Sequence, residues 1–438
     1  MTSFAVPDVD IPLQSVTLDN GLRVTVSEDH TAPIVAINLW YHVGSANERA
    51  GRTGFAHLFE HMLFQGSEHV AANEHFELVQ RAGGTLNGST WLDRTNYFET
   101  VPSNQLELAL WLEADRMGNL LPAMTKEKLD TQRDVVKNER RWTVDNQPYG
   151  TWWERLPALA FPPDHPFHHS LIGSMEDLDA ASLEDVAEFF RTYYVPRNAT
   201  LSIAGDVTAR EAVSLAQKHF GKIAPGDEPP PVSSMAVPQT FGRWIRATVP
   251  DRVAVPRLFL AFRSPVFGSE RYYASSLACS AIGQQMGSRL YRSLVRGQRI
   301  ASAASAFTFD LTTGSDLLVA DVTARPGVSP VQLEAAVVAE IDAVMTEGFE
   351  SRELDRALAL VATDLVQSLQ SAAARADLIS KFVTYFDDAS LVNSQLARYQ
   401  AVTATQVAEH LRSSLGDDNR LSLMYVPMTP SSAPEPSS

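Results

Sequence analysis

The chain has 438 residues, 45% of them hydrophobic and 20% charged, with a net charge of −16. That length exceeds one ordinary core and suggests several domains or two large ones, and the composition is that of a globular protein. The negative balance argues against nucleic acid and anionic membrane as partners, no apolar run reaches the ~18 residues of a membrane-spanning helix, and a lone cysteine, Cys279, rules out an internal disulfide.

The first residues, MTSFAVPDVDIPLQSVTLDN, carry neither the basic nor the apolar region of a secretory leader. A cytoplasmic protein is expected, or a periplasmic one if a leader has been removed; the single cysteine fits a reducing compartment. Residues 34–45, IVAINLWYHVGS, read as a β-rich segment. Residues 53–67, TGFAHLFEHMLFQGS, read as a helix that stops near Gly66. Residues 69–78, HVAANEHFEL, read as a solvated helix start with His69, Glu74 and His75 outside. Residues 83–101, GGTLNGSTWLDRTNYFETV, are again β-rich. Two helical stretches follow, SNQLELALWLEADRM at 103–117 and TKEKLDTQRDVVKNERRW at 125–142. The tryptophans of TWWERL are expected either to pack a domain interface or to line a chamber. The run HPFHHS, with His165, His168 and His169, lacks a helical histidine pair and reads as loop.

Residues 224–239, APGDEPPPVSSMAVPQ, build neither a helix nor a central strand. Beyond them the pattern repeats: β-rich 257–267, a helix over 272–295 with Cys279 as a small core residue, β-rich 301–323, and helices at 329–345 and 350–369. This repetition predicts an α+β fold of two homologous domains, each a mainly antiparallel sheet packed with helices. The expected divisions are 1–223, a linker at 224–240, a second domain at 241–428, and a disordered tail at 429–438.

Positions i and i+4 of a helix face one side. His57 and His61 therefore present their imidazoles together, at a spacing suited to one metal ion, and zinc takes such pairs with a third protein ligand and one open position. Glu60, on nearly the same face, is placed to take a proton from a water whose pKa the ion lowers to about 7. The order H-x-x-E-H is the inverted zincin signature. Read alone, the same spacing also fits two satisfied histidines. Glu139, in QRDVVKNERRW, is the candidate third ligand from another helix; read alone it is by default a solvated charge in a charged run.

The pairing of HLFEHMLFQGS with a downstream VVKNERR helix resembles the inverted zincin peptidases related to insulin-degrading enzyme, pitrilysin and the mitochondrial processing peptidase. The resemblance runs from about Val16 to Val426 and includes GLRVTVSEDHTAPIVAINLWYHVGSANERAGRTGFAHLFEHMLFQGS, NERRWTVDNQPYG and MGSRLYRSL. It implies zinc held by His57, His61 and Glu139, with Glu60 as general base. It implies that TLNGST, with Asn87, Gly88 and Ser89, is an edge strand that binds a substrate peptide by backbone pairing; without the resemblance that stretch reads as an ordinary edge strand or turn. The length is similar to that of two-domain members that pair with a second chain.

Two positions depart from the family pattern. Gln132 stands where a second glutamate is often found, seven residues before Glu139, and an amide cannot take up a proton. Val295 and Ser302 stand where single-chain members have an arginine and a tyrosine for the substrate and the oxyanion; Arg296 and Arg299 are close but out of register. The expectation is a zinc endopeptidase subunit for short or unfolded peptides, forming a heterodimer with a homologous zinc-free subunit that supplies the Arg/Tyr pair. The rivals are a non-catalytic structural or binding subunit on the same fold, and a zinc hydrolase of non-peptide substrates.

Overall fold

The structure, a computed structural model, describes residues 9–232 and 236–428. The tail expected at 429–438 and three residues of the Pro-rich stretch lie outside the described residues.

Among the described residues, eleven strands form two sheets. The first holds β1 (Gln14–Thr17), β2 (Arg23–Glu28), β3 (Ile34–Tyr41), β4 (Thr85–Thr90), β5 (Thr95–Pro102) and β6 (Ala199–Gly205), in the order β1-β2-β6-β3-β5-β4. The second holds β7 (Ile245–Asp251), β8 (Arg257–Ser264), β9 (Ala301–Thr308), β10 (Asp316–Ala324) and β11 (Leu421–Pro427), in the order β7-β11-β8-β10-β9. Without β1, the first order maps strand for strand onto the second. In each sheet only one pair is parallel, β2 with β6 and β7 with β11. The repetition read from the sequence is thus a repetition of topology. Between the sheets, residues 224–232 and 236–240 form no helix or strand.

The central strands are buried on both faces, and their sequences show how. In β3, Val35, Ile37, Leu39 and Tyr41 enter the main core under the helices of the first half, while Ala36, Asn38 and Trp40 face the other way. In β8, Leu258, Leu260 and Phe262 enter the second core, while Phe259 and Ala261 face the opposite side.

Those opposite faces are covered by exchange. The helix Ala372–Phe386, from the second half, lies across β3 and β6 of the first sheet. Its contact is polar and close: Asp377 accepts from Asn38, Trp40 and Asn96 at 3.0, 3.0 and 3.2 Å, and Ser380 meets Ser202 at 2.7 Å over small Ala36, Ala204 and Ala376.

Five helices of the first half are labelled α1 (Phe55–Met62), α2 (Glu74–Arg81), α3 (Leu106–Asn119), α4 (Lys126–Arg140) and α5 (Trp152–Ala160). Helix α5 lies on the second sheet. Trp152 stacks on Phe259 with ring centroids 4.7 Å apart and planes 9° off parallel, and Trp153 stacks on Phe309 at 5.0 Å. Removing a large ring from such a contact leaves a cavity. Trp152→Ala is expected to cost on the order of 2 kcal/mol in urea denaturation; an unchanged midpoint would mean that the stack adds nothing.

The helix expected over 272–295 is broken. It runs Glu270–Gly283, and a π-helical segment follows at Tyr291–Gly297. The reason is local: a Cβ on Gly283 would lie 2.1 Å from the Ala306 nitrogen, so β9 crosses tightly there, and Gln285 takes a positive φ of 63°. Cys279 is buried in this helix, as expected of a small core residue.

Candidate metal centre

Helix α1 is set by its apolar stripe. Phe55, Leu58, Phe59 and Met62 are buried, which turns His57, Glu60 and His61 to the opposite side. Its start is fixed from outside the helix. The buried Glu48 carboxylate accepts from the Gly54 and Ala56 N–H groups at 2.9 and 2.8 Å, satisfying donors that a helix N-terminus leaves unpaired. Gly54 is required there: its φ is 85°, and a Cβ would lie 2.6 Å from the Ile172 carbonyl oxygen. Burial pushes the Glu48 carboxyl well above its usual range.

Helix α4 crosses α1 and carries Glu139 near its end. Thr125 caps it by accepting from the Lys128 N–H at 3.2 Å. Around Glu139 the helix is tied down: Arg133 donates to Leu178 O and Ala181 O, Lys137 pairs with Asp179 at 2.7 Å, and Arg140 donates to Gly173 O at 2.8 Å and pairs with Glu154.

The structure brings His57, His61 and Glu139 together. His57 Nε2 lies 3.7 Å from Glu139 Oε1, His61 Nε2 lies 3.2 Å from Glu139 Oε2, and one donor atom from each residue falls within 4.8 Å of the others. Two ligands each about 2.0–2.1 Å from one tetrahedral ion stand roughly 3.3 Å apart, so the donor set fits zinc in both type and spacing. Burial, then the neighbouring His61, lowers His57 to about 4, which keeps its imidazole neutral as a ligand must be. The bond with His61 lowers Glu139 and keeps it anionic.

Glu60 is outside this donor group. Thr90 Oγ1 donates to its Oε2 at 2.6 Å, and burial raises its carboxyl against the effect of that bond. Thr90 ends β4, an edge strand of the first sheet, which among the described residues pairs with β5 alone. Asn87, Gly88 and Ser89 lie on the same strand; the Asn87 side chain accepts its neighbour's Gly88 N–H at 2.9 Å, and Ser89 donates to Asn96 at 2.6 Å. Gln132 is buried on α4.

A cavity of about 380 Å³ opens on His57 and Glu139. Trp152 and Trp153 form its aromatic wall, so they serve both as interface and as lining. Arg257, from the second half, also lines it; its Nε and Nη2 are taken by Asp321 at 2.8 and 2.6 Å. Sequence reasoning missed Arg257, Glu48 and Thr90, none of which stands out from its local sequence. Val295 is buried in the π-helical segment, and Ser302, on edge strand β9, donates to the carbonyls of Thr323 and Ala324 at 3.3 and 3.1 Å.

His75 corrects the reading of residues 69–78. It is buried rather than solvated, and its Nε2 lies 2.6 Å from Glu99 Oε1. Glu113 joins them, chelated by Arg116, whose guanidinium packs 4.0 Å from the Tyr97 ring centroid. His69 and Glu74 remain near the surface, and His69 meets Asp115 at 2.7 Å. Burial raises Glu99 and Glu113 to about 7 and lowers His75 to about 3. Each raised carboxyl keeps a proton in the fold that the unfolded chain loses above about pH 4.5. That stability is complete below about pH 4.5 and is lost as pH rises through about 7. His75 has the opposite sign, costing stability as pH falls below about 6.5. Glu99→Gln is therefore expected to gain on the native chain between pH 5 and pH 8, by about 2–3 kcal/mol in urea titrations. Parallel pH curves for the two proteins would contradict this.

Two family profiles match the sequence: residues 23–162 fit insulinase (peptidase family M16), and residues 180–361 fit the peptidase M16 inactive domain. The zinc protease PqqE of Helicobacter pylori is 30% identical over 384 residues, covering 87% of this chain and 86% of that protein. The crystal structure of a protease from Helicobacter pylori superposes with a TM-score of 0.89 at 27% identity, over 95% of this chain and 100% of that one. The periplasmic protease PqqL of Escherichia coli superposes at a TM-score of 0.74 and 21% identity, with 97% of this chain matching 50% of that one.

Proposed function

Because the chain belongs to peptidase family M16, we propose that it is the metal-bearing subunit of a zinc endopeptidase acting on short or unfolded peptides. The observation that carries this reading is the convergence of His57, His61 and Glu139 beside Glu60, against an open sheet edge. His57, His61 and Glu139 would hold zinc, which when bound polarises a scissile carbonyl and acidifies a water. Glu60 takes the proton from the attacking water and returns it to the leaving amine. The open edge of β4, at Asn87, Gly88 and Ser89, takes the substrate as an added strand, which selects extended chains and reads backbone more than side chains. Gln132 holds its place on α4 without a proton to exchange.

The missing Arg/Tyr pair supports a partner. Val295 and Ser302 offer no cation and no phenol to a developing oxyanion, and Arg257 is already neutralised by Asp321. A homologous zinc-free subunit would supply both groups. The longer Escherichia coli protein, half of whose chain matches this fold, has room for a second unit of the same size, which is consistent with pairing. The non-catalytic alternative is disfavoured by an intact donor set and base.

The test combines metal analysis with a backbone scan. The purified chain is expected to hold about one zinc. Peptides N-methylated at successive positions are expected to lose cleavage at every second residue, since one side of a strand faces its neighbour. Uniform tolerance of methylation would overturn the strand-addition reading, and absence of zinc would overturn the metallopeptidase reading.

A further inference from the structure

Strand β4 touches α1 at two points on one face. Thr90 donates to Glu60 Oε2 at 2.6 Å. Two residues earlier, and so on the same side of the strand, Gly88 leaves open the space that Glu60 needs: a Cβ there would lie 3.2 Å from Glu60 Cγ, and as close to the rings of Phe64 and Tyr97. The remainder of the strand is held from the other direction. Thr90 pairs with Thr95 in β5, and Arg94 in the connecting turn donates to Ser89 O at 3.0 Å and to Asn96 at 2.8 Å.

We propose that Thr90 is a positioning residue for Glu60, so that the strand receiving the substrate's backbone also aims the base. The inference rests on the reading of Glu60 as general base. Glutamate is a long, flexible side chain, and a base displaced by about 1 Å can lose on the order of a hundredfold in rate. The Thr90 hydroxyl fixes one carboxylate oxygen, and the gap at Gly88 fixes how closely the strand approaches the stem. A peptide laid along β4 adds hydrogen bonds to its open edge and steadies both contacts. Substrate length is therefore coupled to proton transfer: a peptide too short to pair along β4 loses kcat as well as affinity, because remote binding energy is spent on orientation at the reacting atoms.

The experiment compares Thr90→Val with Thr90→Ser in the full chain, loaded with zinc and assayed with any partner that activity requires. Valine keeps the β-branched shape that suits the strand and removes the hydroxyl; serine keeps the hydroxyl. Three readouts are taken: bound zinc, the crystallographic position of the Glu60 carboxylate, and kcat and KM separately. Thr90→Val is expected to keep its zinc and its KM, to show a displaced carboxylate, and to lose at least about tenfold in kcat. Thr90→Ser is expected to restore the carboxylate position and most of the rate. A Glu60 unmoved in Thr90→Val overturns the inference, as does a Thr90→Ser chain as impaired as Thr90→Val. A fall confined to KM overturns it too, because that pattern marks a strand contact only. If the native protein cleaves no peptide, the proposed function fails, and the position of Glu60 in the two variants still decides the role of Thr90.

Discussion

Glu60→Gln is expected to keep its zinc and to lose about a hundredfold or more in peptide turnover, whereas Glu139→Gln is expected to give up the metal. The two expectations separate because the two carboxylates stand in different surroundings. Glu139 faces both imidazoles, 3.7 Å from His57 and 3.2 Å from His61, and its charge belongs to the donor set. A neutral amide there leaves two imidazoles and a weak oxygen to hold a dication. Glu60 stands outside that set, bonded to Thr90. A glutamine at 60 keeps an oxygen for the Thr90 hydroxyl but cannot take a proton from water, and general-base catalysis is worth about a hundredfold to ten-thousandfold. Metal analysis after dialysis against a chelator, with turnover of one peptide, reads both outcomes. Full zinc retention by Glu139→Gln would remove it from the ligand set, and near-native turnover by Glu60→Gln would remove it as base.

Mixing this chain with the zinc-free partner proposed for it is expected to raise turnover by about a hundredfold over either protein alone. A tetrahedral intermediate places negative charge on the former carbonyl oxygen, and losing one donor to that charge costs about 3 kcal/mol. Within this chain the second half provides none at the expected places, since Val295 is buried and Ser302 donates to backbone carbonyls. Activity of the mixture should fall back when the partner's arginine or tyrosine is replaced. Robust turnover by this chain alone, unchanged by the partner, would overturn the two-subunit reading. Loss of that solitary activity in Arg257→Met would then identify the cavity arginine as the donor.

The candidate metal site was legible where its residues are neighbours in sequence. His57, Glu60 and His61 sit on one helical turn, and the buried Phe55, Leu58, Phe59 and Met62 between them announce both the helix and its outward face. Glu139 stands 78 residues beyond His61; spacing alone cannot join them, and only the family resemblance singled it out. The α+β duplication was visible because both halves repeat the order of strands and helices. Strand pairing was not, because β6 enters the middle of the first sheet from far along the chain. His75 was misread for the same reason. Its partner Glu99 is 24 positions away on a strand, and a buried hydrogen bond of that kind leaves no mark on a helix start rich in polar residues. Tight crossings were equally silent, as at Gly283, where β9 approaches too closely for any side chain at the end of the helix.

The exchange of helices between the halves bears on what can be inherited or swapped. Helix α5 carries the wall of the metal cavity yet rests on the second sheet, and the helix Ala372–Phe386 caps the first. A protein severed between 224 and 240 would yield two fragments, each wearing the other's lid and each unfinished without it. Such fragments are expected to remain clasped and to co-purify. Neither half is then a spare part that evolution or an engineer can trade singly. The smallest interchangeable piece is the whole two-sheet chain.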